Sequence, residues 1–272
     1  MRITRLIPLA CCIAACLSVG ALRATAATFV LDPNNSNLKV SVGGYEDDGN
    51  GNLVFVSFTS PQTPGSDNTS LSGSLQATVG GGLIDFTGLS NIVFDNQSVD
   101  QEPLPGGILP GSATANYGVN LNVFDGAIFG PGAIRGALAD LTGNSLLVGN
   151  QFDSAGLLLA LTAGTIDINL DANAIGQGIL ATSAAISGNS AANLATQGTL
   201  DLVGSDLNLY IPIFVEVAVP VQAGSLTLTV IARFEGQITA TSLVPEPSTF
   251  LMAGVGLVGL GAAGYRRARS KS

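Results

Sequence analysis

Eighteen carboxylates, three basic side chains and a scatter of serines are what residues 28–244 of this 272-residue chain offer to chemistry. Histidine is absent, and the three cysteines, Cys11, Cys12 and Cys16, sit together near the N-terminus. The commonest acid–base and nucleophile pairings are therefore missing. Two carboxylates flanking a glycosidic bond can hydrolyse it, but so many scattered acids make some spatial pair inevitable, and no spacing singles one out. The run Glu46-Asp47-Asp48-Gly49-Asn50-Gly51-Asn52 sets Asp48, Asn50 and Asn52 at the first, third and fifth positions of a calcium loop. Leu53 then stands where the sharp turn needs glycine, and Thr59 where a bidentate glutamate is needed, so the run reads as a solvated hairpin turn. No catalytic residue, metal ligand or cofactor site follows, and the expectation is a protein that is not an enzyme.

The elements that would position any site read as strands. In Gly224–Ala240, Leu226, Leu228, Val230, Ala232 and Phe234 alternate with Thr227, Thr229, Ile231, Arg233 and Glu235, the period of a half-buried strand. Upstream, Leu207, Leu209, Ile211, Ile213, Val215, Val217 and Val219 share one face, with Asn208, Tyr210, Pro212, Phe214, Glu216 and Pro220 on the other. A link at Gln222-Ala223-Gly224-Ser225 would close the two into a hairpin. Pro212 and Pro220 donate nothing to a ladder, which puts their strand at an edge or breaks it with a bulge. Shorter β-branched or aromatic stretches at 52–60, 73–79, 82–95, 117–129 and 164–171 are bounded by Gly, Asn or Pro. The expected fold class is all-β, an antiparallel sandwich or barrel-like domain over residues 27–243. The alanine-rich stretch 154–196 leaves room for a helix, against which its glycines argue. The echoes Gly164–Ile168, Gly198–Leu202 and Gly82–Phe86 are unequally spaced, as similar strands of one sheet would be.

Composition narrows the partners. The chain is 46% hydrophobic and 11% charged, with 35 glycines and no tryptophan. Only Lys39, Arg135 and Arg233 are basic between residues 28 and 244, against eighteen acids, a net charge of −15. Nucleic acid, which requires a basic stripe, is excluded as a partner, and an anionic membrane surface is disfavoured.

The remaining basic residues mark the termini. Met1-Arg2-Ile3-Thr4-Arg5 precedes an apolar run and the triplet Ala24-Thr25-Ala26. This is the pattern of a signal peptide over residues 1–26, with Ala24 and Ala26 in the small subsites of signal peptidase. Ile13-Ala14-Ala15-Cys16 resembles a lipobox, but the apolar run continues past it. Cleavage after Ala26 or Ala27 removes every cysteine, leaving an exported domain of roughly 215 residues that its core alone must stabilise.

At the other end, Val244-Pro245-Glu246-Pro247-Ser248-Thr249 leads into an apolar, glycine-rich run from Phe250 to Gly264, followed by Arg266, Arg267, Arg269 and Lys271. As a helix the run is about 22 Å long at ~1.5 Å per residue, short for a span that wants ~20 apolar residues. The basic cluster keeps the extreme C-terminus cytoplasmic and the body outside. This order of features over residues 244–272 resembles the PEP-CTERM sorting signal of exported proteins of biofilm-forming Gram-negative bacteria. The resemblance implies recognition of Pro245, Glu246 and Pro247 by exosortase, a membrane-embedded cysteine transpeptidase. It further implies a transmembrane helix held as an inner-membrane intermediate and then removed, and delivery to the cell surface or extracellular matrix, with extracellular polysaccharide as a partner. From the residues themselves, the two prolines hold the segment extended ahead of the helix, where an enzyme outside the bilayer can grip it.

A shorter likeness lies in Thr28–Val42. Asp32, Pro33 and Ser36 match the opening strand of the periplasmic polyisoprenoid-binding barrel family, with Asn35 in place of its histidine. It implies an antiparallel barrel-like start and does not carry lipid binding over. The sequence thus reads as an exported, non-enzymatic surface or matrix protein, with a secreted β-barrel that binds a lipid or glycan as the alternative.

Overall fold

The computed structural model describes residues 25–99, 114–123, 125–204, 206–223 and 226–243. The signal peptide up to Ala24, Pro245-Glu246-Pro247, the apolar run 250–264, and Arg266, Arg267 and Arg269 lie outside the described residues. The described chain is nearly all strand, and every pairing is antiparallel. In chain order the first half holds β1 (Thr25–Leu31), β2 (Asn37–Asp47), β3 (Leu53–Ser57), β4 (Thr59–Pro61), β5 (Asn68–Gly80), β6 (Leu83–Thr87), β7 (Asn91–Phe94) and β8 (Gln97–Ser98). Next come β9 (Thr114–Ala115), β10 (Tyr117–Val123), β11 (Ile128–Val148), β12 (Gln151–Phe152) and β13 (Leu158–Asp171). The chain ends with β14 (Ile179–Ala185), β15 (Ser190–Ala192), β16 (Gly198–Val203), β17 (Asp206–Ala223) and β18 (Leu226–Leu243). Stretches 73–79 and 164–171 lie within the single strands β5 and β13, whereas 52–60, 82–95 and 117–129 each take in two strands, β3 with β4, β6 with β7, and β10 with the start of β11.

The sheet closes on itself. β1 pairs with β5, β5 with β6, β6 with β11 and β11 with β12. The circuit continues from β12 to β16, β17 and β18, and β18 returns to β1. Of the two architectures left open by the sequence, the pairing gives the barrel-like one. Closure hides most strand edges, as a sheet of this size needs. Around the circuit the turns β5–β6, β11–β12 and β16–β17 share one rim with Thr25 and with Leu243, which pairs with Asp206. The opposite rim carries the β2–β3 turn and the tip of the β17–β18 hairpin.

That hairpin is the longest ladder, running without a register break from Asp206↔Leu243 to Ala223↔Leu226. Gln222 and Ala223, expected in the link, instead belong to β17 and pair with Thr227 and Leu226. The inward faces are as the alternation predicts: Leu209, Ile211, Ile213, Val215 and Val217 on β17, and Ala232 and Phe234 on β18, are buried. β18 is central, flanked by β17 on one side and by β1 and β2 on the other. β17 has no bulge. Its pairing with β16 stops at Tyr210, and beyond it the outer edge faces Asn193, whose amide receives the Phe214 N–H (2.8 Å) and donates to the Pro212 carbonyl (2.8 Å). Even-numbered residues therefore point their backbone groups outward, and Pro212 and Pro220 fall on the side where no donor is needed and another strand would be unwelcome.

Residues 154–196 contain no α-helix. They form β13, a single 3-10 turn at Asn173–Ile175, β14 and β15. Gly164, at φ +121°, is incompatible with a helix there and sits against a register shift between Arg135 and Leu138 of β11. Long-range pairing overrides the alanine content. The three echoes lie in β13, β16 and β6 of the one sheet.

Most of the interior is packed. Phe29, Leu71, Leu75, Phe86, Ile92, Leu141, Ile211 and Ile238 belong to one continuous core. Tyr117 is wholly enclosed between Phe94 and Phe234, each 6.1 Å away ring to ring, and its hydroxyl has no partner. Burial pushes its phenol well above the ordinary 10.0, so the fold holds the neutral form, and that stability is complete below pH 10 and falls as pH rises above it. Tyr117→Phe removes an unsatisfied hydroxyl and is expected to leave stability at pH 7 unchanged or raised by about 1 kcal/mol. Urea midpoints across pH check this: above pH 10.0 the wild type should weaken more steeply than the variant.

Candidate functional site

The most elaborate polar constellation lies outside the barrel, where β3, β2, β18 and β17 run side by side. Because the hairpin link is two residues, Arg233 of β18 stands opposite Glu216 of β17. Its Nε and one terminal nitrogen donate to Glu216 Oε1 at 2.9 and 2.6 Å. The other terminal nitrogen is 3.7 Å from Glu235 Oε1. The Phe55 ring lies 3.7 Å from the guanidinium carbon on one face, and the Phe214 ring centre is 5.0 Å away. Tyr45 donates its hydroxyl to Glu216 Oε2 at 2.6 Å and meets Phe55 edge-on at 6.0 Å. Phe55 reaches Arg233 because Gly43 lies beneath it. A Cβ there would come within 2.0 Å of the Val56 carbonyl oxygen and 2.8 Å of the Phe55 ring.

The electrostatics hold the cluster in one charge state. Partial burial opposes the Arg233 charge, but the contacts with Glu216 and Tyr45 outweigh it, so its pKa is raised. The hydrogen bond to Glu216 raises that of Tyr45. Stacked on Phe55 and hydrogen-bonded to Glu216, Arg233 joins four strands as a clamp.

Beside it runs a polar groove of about 330 Å³ lined by Lys39, Ser41, Ser57, Thr59, Ser60, Asp67 and Glu235. Lys39 Nζ and Asp67 Oδ2 pair at 3.2 Å. Hydroxyls, one cation and two acids in a shallow, solvent-open groove suit a neutral polyhydroxyl ligand. Inside the barrel, at the rim of the β2–β3 turn, a cavity of about 60 Å³ is lined by Val40, Val42, Val119, Leu121, Ile166 and other apolar side chains.

The Glu46–Asn52 run is the turn between β2 and β3. Asp47 Oδ1 accepts the Gly49 and Gly51 N–H groups at 2.8 and 3.0 Å, and Asp48 Oδ1 those of Asn50 and Asn52 at 2.8 and 3.2 Å. Those bonds lower the Asp48 pKa. Among the described residues no group of three or more acids is arranged to hold a metal ion.

Of the processing residues, Ala26 is described. It lies in β1 opposite Thr78, so a cut after it removes only Thr25 and Ala26 from the ladder. At the other terminus β18 ends at Leu243, and the sequence from that residue onward matches a family model, the PEP-CTERM protein-sorting motif, over residues 243–268. The chain carries a PEP-CTERM sorting motif. The motif marks an exported protein sorted by exosortase to the cell surface. No curated protein and no solved structure matches the chain.

The Arg233 clamp was not singled out from sequence. Its signal was present in the polar faces of the two strands, but a four-residue link would have set Arg233 against Phe214. Only the two-residue turn brings it opposite Glu216.

Proposed function

We propose that this is a non-enzymatic surface or matrix protein, exported, held briefly by its C-terminal segment, and released among extracellular polysaccharides. The observation that carries the reading is the sorting motif itself, matched over residues 243–268 behind an all-β body. Within the described body, the groove of Lys39, Ser41, Ser57 and Glu235 offers hydrogen bonds to sugar hydroxyls. The alternative, a barrel that encloses a lipid, draws on the wholly apolar cavity. At about 60 Å³ that cavity is far below the ~300 Å³ at which ligand pockets begin.

The test is retention of the secreted protein on the producing organism's own polysaccharide. The wild type should be retained, and Lys39→Gln with Glu235→Gln should weaken retention at least about tenfold by removing charge-assisted hydrogen bonds. A wild type that washes through would sink the matrix reading. Retention unmoved by the paired substitutions would place the contact elsewhere.

A further inference from the structure

The rim from which both chain ends depart carries a cluster of exposed large apolar side chains, as the opposite rim does with Tyr45, Leu53, Val54, Phe129 and Ile175. Leu83 of β6 and Leu146 of β11 face each other across the ladder, and Val148 follows Leu146 on the same face. These three share one groove. The β11–β12 turn ties them to the end of β16: Asn150 donates its amide to Asp201 at 2.6 Å, and its carbonyl accepts the Leu200 N–H at 2.8 Å. Leu202 and Val203 stand just beyond. Leu83, Leu146, Val148, Leu202 and Val203 each keep between 43% and 76% of their surface exposed. Single exposed apolar residues are ordinary; here Leu83, Leu146 and Val148 gather in one groove with Leu202 and Val203 just beyond.

We propose that this rim rests on the lipid bilayer while the precursor is held in the membrane, with Leu83, Leu146, Val148, Leu202 and Val203 dipping into the interface. The inference deepens the tethered-precursor reading above and rests on it. Chain length supplies the occupant. From Leu243, at this rim, to Phe250, the first residue of the apolar run, is seven peptide steps, and seven extended residues reach about 24 Å at most. The barrel is thus confined to the bilayer surface with this end toward it. Lipid is favoured over the enzyme or another copy because the tether holds this rim within reach of the bilayer. Charge selects the lipid: Asp85, Asp153, Asp201 and Asp206 belong to the strands and turns of this rim, while Lys39, Arg135 and Arg233 lie well down the wall. A zwitterionic surface fits and an anionic one is repelled. The Arg233 clamp and the polar groove, further along the wall, stay in water. After the tail is cut, nothing holds the rim down, and the weak apolar contact lets go.

The chain has no tryptophan, so a single one reports position without background. Full-length protein carrying Val148→Trp, and separately Leu53→Trp at the opposite rim, where Leu53 is 70% exposed, is reconstituted into phosphatidylcholine vesicles with brominated acyl chains. The expected result is co-flotation of both, with the Val148→Trp fluorescence blue-shifted and quenched about threefold or more beyond the Leu53→Trp probe, as interfacial insertion gives. Added phosphatidylglycerol should reduce the difference. Co-flotation with equal quenching overturns the rim contact and leaves the membrane tether standing. Failure to co-float overturns both. A blue shift of the Val148→Trp probe that grows with protein concentration in lipid-free detergent makes the rim a contact between copies and overturns the lipid assignment.

Discussion

Replacing Glu246 by alanine should leave the protein membrane-bound with its tail intact, converting nearly all of the trimmed surface form into uncleaved precursor. The motif places one carboxylate between two prolines, residues that favour extended backbone. Alanine preserves the extension and removes the charge, so any loss of processing is a loss of recognition. The run behind it is poorly composed for a permanent anchor: fifteen residues from Phe250 to Gly264, several of them glycine, would make a helix short for a bilayer and weak in itself. Ser270→Ala, beyond the basic cluster, is the matched control and should process normally. Fractionation of cells into membrane and surface pools, with mass measured in each, reads the result. A Glu246→Ala protein that reaches the surface trimmed and in normal amount would reduce the motif to a linker.

Replacing Ile238 by aspartate should abolish the barrel. Ile238 is wholly enclosed on the central strand β18, directly opposite Ile211. An unpaired carboxylate there costs on the order of 5 kcal/mol once the lost apolar burial is included, comparable to the entire stability of a typical domain. Thr241→Asp, three residues along the same strand and exposed, should change stability by no more than about 0.5 kcal/mol. Limited proteolysis of the secreted proteins separates the cases: rapid degradation of Ile238→Asp beside a resistant Thr241→Asp is expected. Equal resistance would mean that the inward face of β18 is wrongly assigned.

Much of the fold was legible because alternation is a local signal. Ile211 to Val217 and Ala232 to Phe234 declare their buried face by residue type alone, and the two prolines of β17 announce a free edge. Closure was not legible. It depends on β6 and β12 linking the ladders through a few residues each, Leu83–Thr87 to Thr142–Leu146 and Gln151–Phe152 to Gly198–Thr199. No local pattern encodes which distant strands meet. Residues 154–196 misled for the converse reason, since alanine favours a helix locally and β13 becomes a strand only because β11 and β14 lie on either side of it. The Arg233 clamp depended on register, where a shift in turn length exchanges Glu216 for Phe214 as the cross-strand neighbour. The sorting motif needed no fold at all. Its information is linear, carried by residues 243–268.

The central claim, export followed by removal of the tail, meets its most direct test in the masses of the two termini of the protein recovered from the cell surface. The account predicts a chain that begins at Ala27 or Thr28, lacks all three cysteines, and ends within or close to Pro245-Glu246-Pro247. A surface protein that still begins at Met1, or that still carries Arg266, Arg267, Arg269 and Ser272, would contradict it.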